Sequence, residues 1–121
     1  MDKKTVLIVE DEEEIASILE DILSMNEANS RIASEGSSAL TMLEKETINF
    51  VISDITLPDT DGFELYDLIR SKYPILSDRF LFMSGYGLDP KMEQFLSETG
   101  NSYIQKPFHI RDLQEKIKRY L

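Results

Sequence analysis

The stretch TVLIVEDEEEIASILEDILSM, residues 5–25, carries the fold in outline. Thr5–Val9 is a run of apolar and β-branched residues without a polar alternation, the pattern of a strand buried on both faces. Five consecutive acids, Glu10-Asp11-Glu12-Glu13-Glu14, then turn the chain. From Glu13 to Met25, Ile15, Ile18, Leu19, Ile22 and Leu23 fall on the i, i+3, i+4, i+7, i+8 stripe of an amphipathic helix whose acids face water. A buried strand that leads into an amphipathic helix is the first half of a βαβ unit, so a parallel sheet is expected.

The same alternation recurs along the chain. A second strand is predicted near Ser30–Ser34, followed at Gly36 by a turn and at Ser37 by an N-cap for a helix that buries Ala39, Leu40 and Leu43. A third strand, Asn49–Ser53, precedes a loop punctuated by Pro58 and Gly62 and a helix over Gly62–Ser71 that packs Phe63, Tyr66 and Ile69 before Tyr73-Pro74 stops it. Phe80–Met83 reads as the fourth strand. The fourth helix is bracketed by Asp89 as N-cap, Pro90 at its first position and Gly100 past its last turn, with Phe95 and Leu96 inward. Asn101–Gln105 is the fifth strand, and the last helix starts near His109, with Phe108 and Leu113 as a hydrophobic staple and Ile110, Leu113 and Ile117 on one stripe. The expectation is one α/β domain over residues 1–121, with no room for an output domain.

Composition narrows the function classes. The net charge of −10, from 23 acids against 13 bases, argues against direct DNA binding, which needs clustered Lys and Arg on phosphate. Lys116, Lys118 and Arg119 gather at the C-terminal end, where they complement the negative end of a helix. No run approaches the ~20 apolar residues of a membrane helix, and Met1-Asp2-Lys3-Lys4 leads straight into a strand rather than a secretory core, so a cytoplasmic protein is expected. There is no cysteine, which removes disulfides, cysteine metal sites and thiol catalysis.

Polar residues follow the strands in a telling pattern: Glu10 and Asp11 after the first, Asp54 after the third, Ser84 after the fourth and Lys106 after the fifth. In an open parallel sheet, ligands bind outside the carboxyl ends of the strands, so one crevice would gather all five side chains. Phosphate-binding turns of dinucleotide and P-loop folds use glycines there; five acids would repel bare phosphate and exclude a flavin-nucleotide role. Three converging carboxylates instead call for a cation. Mg2+ fits, because it takes oxygen ligands and leaves positions for water and a phosphoryl oxygen; Mn2+ is an expected substitute. Asp54 could then attack phosphorus, with Lys106 and the ion balancing charge and Ser84 donating a hydrogen bond.

With these residues in place, the chain resembles the receiver domain of two-component response regulators, through VLIVEDEEE, ISDITLPDTDG, LFMSGYG and YIQKPF over its whole length. The resemblance implies a doubly wound, flavodoxin-like fold with strand order 2-1-3-4-5. It makes Asp54 the phosphoacceptor, Asp11 a direct Mg2+ ligand, Glu10 a ligand acting through water and the Thr56 carbonyl a further ligand. Ser84 and Lys106 would hold the phosphoryl group, Tyr103 would be the aromatic switch, and the Lys106-Pro107 peptide would be cis. Thr56 and Tyr86 would tune the hydrolytic water. A histidine kinase or histidine phosphotransfer protein would be the donor. An effector would read the surface of the fourth helix, fifth strand and fifth helix, and the molecule would be a monomer or a phosphorylation-dependent dimer. Glu10 in place of a shorter aspartate, and Ser84 in place of threonine, are departures that bear on kinetics.

Taken singly, each residue has a plainer role. Asp54 could form a turn, the acids could solvate a helix start, Lys106 could be exposed, Tyr103 could be a half-buried strand residue and His109 a surface residue. Two other functions also fit parts of the pattern. An aspartyl-phosphate phosphohydrolase of the haloacid-dehalogenase type would want a second aspartate where Thr56 stands and a substrate cap. An inert scaffold would not need the full set of site residues. The expected role is therefore a signalling domain that promotes only its own phosphotransfer and dephosphorylation.

Overall fold

The computed structural model describes residues 3–121; Met1 and Asp2, read above as leading into the first strand, lie outside the described residues. Its strands are β1 (Thr5–Val9), β2 (Asn29–Ala33), β3 (Phe50–Asp54), β4 (Phe80–Ser84) and β5 (Ser102–Gln105). They alternate with α1 (Glu13–Met25), α2 (Gly36–Lys45), α3 (Gly62–Lys72), α4 (Pro90–Thr99) and α5 (Ile110–Lys118). All neighbouring strands pair in parallel, in the order β2-β1-β3-β4-β5. That is the doubly wound arrangement, with β1 and β3 flanking the point where the order reverses.

Strand alternation sorts the core into two layers. Leu7, Val9, Val51, Phe80 and Phe82 face one side, where α2, α3 and α4 cover them with Ala39, Leu43, Leu65, Tyr66, Ile69 and Leu96. Val6, Ile8, Phe50, Ile52, Leu81 and Met83 face the other, under Leu19, Ile22 and Leu23 of α1 and Leu113 and Ile117 of α5. Each fully buried aliphatic or aromatic side chain contributes about 1.5–3 kcal/mol relative to exposure, so these layers hold the sheet edge rigid beneath the site.

Several boundaries differ from the sequence reading. β2 runs Asn29–Ala33 rather than Ser30–Ser34, because its register against β1 starts at Thr5 opposite Asn29. β3 and β4 each extend one residue further, to Asp54 and Ser84, so both polar residues sit in the ladder. Asn101 precedes β5; its amide donates to the carbonyl of Ser77 at 3.1 Å. A short 3-10 turn, Pro74–Leu76, follows α3, which itself runs one residue past Ser71. Ser37 is no cap: the N-cap position is Glu35, Ser37 lies inside the helix, and its hydroxyl donates to Glu35. Ile18 and Ile110, placed on buried stripes by periodicity, are 44% and 52% exposed at the margins of their helices. The bracketing of α4 holds, with Asp89 accepting from the Met92 amide at 2.8 Å and Gly100 left-handed at φ 73°.

Candidate functional site

β1 and β3 end side by side, which sets Glu10 and Asp11 against Asp54. One carboxylate oxygen from each of Glu10, Asp11 and Asp54 lies within 4.8 Å of the others. β5 delivers Lys106 to the same place: its amide donates to the Ser84 carbonyl at 2.7 Å, and the Lys106-Pro107 peptide is cis. The ammonium donates to Asp54 Oδ2 at 2.8 Å and to Glu10 Oε1. Asp11, Glu12, Asp54, Thr56, Gly85, Tyr86 and Lys106 line an open pocket of about 320 Å3 over these groups.

Burial divides the acids. Glu10 is 2% exposed and Asp54 6%, whereas Asp11 is exposed. Burial pushes the Glu10 carboxyl up to about 7 even though the hydrogen bond and charge of Lys106 pull it down and the Glu12 amide donates to its Oε2. Burial likewise works against the charge of Lys106, but its bonds to Asp54 and Glu10 outweigh that and hold the ammonium above the ordinary lysine range. The pair keeps its proton on the lysine and leaves Asp54 facing the pocket with a cation beside it.

The loop after β3 supports Asp54 from below. The Thr56 amide donates to Asp54 Oδ1 at 3.1 Å, the Ile55 amide to the Met83 carbonyl at 2.8 Å and the Gly62 amide to the Ile55 carbonyl at 2.6 Å. Gly62 permits that approach, since a Cβ there would lie 2.6 Å from the Asp54 carbonyl oxygen. On the β4 side, the Ser84 hydroxyl donates to the Tyr86 carbonyl at 2.9 Å and accepts from the Tyr86 amide at 3.1 Å. Tyr103 donates to the same carbonyl at 3.2 Å, so Ser84 and Tyr103 meet on one acceptor. Burial raises the phenol of Tyr103 above its usual range.

Six of the nominated residues therefore converge directly: Glu10, Asp11, Asp54, Thr56, Tyr86 and Lys106. Ser84 adjoins them with its hydroxyl engaged by the Tyr86 backbone, and Tyr103 stands outside the pocket lining. Glu12, read only as a solvated helix acid, also lines the pocket and binds Glu10 through its amide. In the sequence Gly62 marks only a turn; its close approach to Asp54 depends on long-range packing that spacing does not reveal. The donor set is three carboxylates, all hard oxygen, partly open to solvent, and this suits Mg2+.

A family model described as response regulator receiver domain matches residues 6–118. Response regulator protein FleR of Pseudomonas aeruginosa is 32% identical over 115 residues, 95% of this chain and 24% of that protein. Regulatory protein VanRc of Enterococcus gallinarum is 30% identical over 118 residues, 96% of this chain and 49% of that protein. The chain thus spans between about a quarter and a half of these relatives. Among solved structures, a CheY-like receiver domain protein from Methanospirillum hungatei JF-1 aligns with a TM-score of 0.86 and 32% identity, covering 98% of this chain and 93% of that one.

Proposed function

The chain belongs to the response regulator receiver domain family, and on that premise we propose that it is a switch thrown by phosphorylation of Asp54. The observation that carries this reading is the convergence of a buried aspartate, a hydrogen-bonded lysine and two further carboxylates at one sheet edge. Asp11, Asp54 and the Thr56 carbonyl would hold Mg2+, with Glu10 reaching it through water. When bound, the ion supplies positive charge beside the phosphoryl oxygens.

A carboxylate oxygen of Asp54 forms the bond to phosphorus while the P–N bond of a donor phosphohistidine breaks, its electron pair passing to the imidazole nitrogen. Asp54 is the nucleophile in its ionised form and needs no general base. Lys106 keeps its proton throughout and lies within reach of the incoming oxygens through the contact it already makes with Asp54. Hydrolysis by water at phosphorus restores the carboxylate, and Thr56 and Tyr86, both lining the pocket, set access for that water. The partner is a histidine kinase or a histidine phosphotransfer protein, and the chain carries out no turnover beyond its own phosphorylation cycle.

Phosphorylation adds negative charge where Ser84 can donate to it. Turning the Ser84 hydroxyl to the phosphoryl group gives up its bond to the Tyr86 carbonyl, the acceptor that Tyr103 shares. The change thereby reaches the surface of α4, β5 and α5, where an effector would read it. Among the described residues no helix is long and apolar enough to cross a membrane.

Intact mass after incubation with acetyl phosphate tests the reading. Wild type in Mg2+ gains one phosphoryl group, while wild type in EDTA and Asp54→Asn do not. A gain that ignores Asp54 would overturn it, and rapid turnover of a small phosphate ester would favour a phosphohydrolase.

A further inference from the structure

We infer that Asp59 is a positioning residue for the metal and phosphoryl site: its carboxylate clamps the loop that carries Thr56 onto the N-terminus of α2. This rests on the reading of the site given above. The two oxygens of Asp59 accept from the amides of Gly36 at 2.8 Å and Ser37 at 3.0 Å, more than twenty residues away in sequence. Those amides are the first two of α2, and the local chain supplies no cap, since the Glu35 side chain makes no capping bond. A carboxylate at a helix N-terminus meets unpaired donors and the positive end of the dipole together. The Asp59 carboxyl is held below its usual range, first by the Gly36 amide and then by that of Ser37.

The loop is also seated sterically. A Cβ on Gly36 would lie 2.6 Å from Cγ2 of Thr60, so the absence of a side chain there is what lets the loop tip rest against α2. Within the loop, the Leu57 amide donates to the Thr60 carbonyl at 3.2 Å, Thr56 and Asp61 form an antiparallel bridge, and Leu57 is buried. Segment 55–61 is therefore a stiff hairpin, and a stiff hairpin transmits the position of its tip to its base. The base is Thr56, whose amide holds Asp54 Oδ1 and whose carbonyl is a proposed metal ligand. Asp59 touches none of these groups; it acts by fixing where the hairpin lies relative to the sheet, through a helix that packs on the sheet with Ala39 and Leu43.

A pure capping role and a positioning role separate in one double variant. Asp59→Ala removes the clamp, and Glu35→Asp in the same chain restores a local N-cap to α2 without restoring the tie to the loop. Melting temperature, Mg2+ affinity by calorimetry and hydrogen exchange at the Thr56 amide in metal-free protein are measured for wild type, single and double variants. Asp59→Ala is expected to weaken Mg2+ binding about tenfold, the scale of losing an outer support of a metal site, and to speed Thr56 exchange. The double variant regains the melting temperature but neither of the other two. Mg2+ affinity and Thr56 exchange that return together with melting temperature, or that never changed, overturn the inference. Asp59→Asn, which keeps one acceptor oxygen, serves if the alanine variant does not fold. Wild type that binds no Mg2+, or binds it independently of Asp54, would undo the metal reading instead, and Thr56 exchange in metal-free protein would still decide the clamp.

Discussion

Replacing Lys106 by alanine should destabilise the metal-free protein in a pH-dependent way. The side chains involved are 10% exposed for Lys106, 0% for Glu10 and 9% for Asp54, so the pair lies near the buried limit. Removing one partner of a buried pair costs about 3–5 kcal/mol, against about 1 kcal/mol or less at a surface. Glu10 limits the loss, because it can shed its charge by binding a proton near neutral pH. A group whose folded pKa is raised binds more protons folded than unfolded, so stability falls as pH climbs from the unfolded value near 4.5 through the folded value. Without Lys106, which lowers the Glu10 pKa from its burial-raised level, that window extends above 7. The cost should therefore grow by about 1 kcal/mol between pH 6 and pH 8, from about 2 to about 3 kcal/mol, with the larger figure lowering the melting temperature by roughly 10 °C for a domain of this size. Urea unfolding in EDTA at the two pH values measures it. A variant as stable as wild type at pH 8, or a cost that shrinks as pH rises, would refute the claim that the ammonium offsets two buried carboxylates.

Other expectations follow from single contacts. Gly62→Ala drives a Cβ toward the Asp54 carbonyl oxygen and should cost about 2–3 kcal/mol by denaturant unfolding. Glu27, at φ 59°, holds a left-handed conformation after α1; Glu27→Gly should add about 1 kcal/mol of stability in the same assay. Tyr103→Phe loses a partly exposed hydrogen bond and should change stability by less than about 1 kcal/mol while leaving Asp54 phosphorylation intact by mass; lost phosphorylation would place the phenol in the chemistry rather than in its readout. The lowered pKa of Asp59 means its contribution is complete above the unfolded value near 4 and lost as pH falls through the folded one. Asp59→Asn should remove that part of the acid limb in a pH series of melting curves.

How much of this was legible in the sequence depends on how local the cause is. The strands that form the sheet centre are uninterrupted apolar runs, and α4 carries its own cap, proline and terminal glycine, so both could be read directly. The helix stripes were legible too, except at Ile18 and Ile110, where a period of 3.6 cannot say how far a neighbouring element reaches. The central site residues were legible because each closes or follows an apolar run, but the contacts between them were not. Nothing in the spacing of Glu10 and Lys106 says that the longer acid lies against the ammonium, or that Ser84 and Tyr103 share the Tyr86 carbonyl. Ser37 illustrates the opposite error. A local cap rule nominated it, while the acceptor for α2 comes from Asp59, beyond β3.

Locating the phosphoryl group tests the central claim most directly. Protein phosphorylated by acetyl phosphate in Mg2+ is reduced with borohydride, which converts an aspartyl phosphate into homoserine, and the peptide spanning β3 and its following loop is sequenced by mass. Homoserine at position 54, absent from protein held in EDTA, is the predicted result. Homoserine at Asp11 or another acid, or phosphate on His109 or a hydroxyl with position 54 intact, would contradict the account.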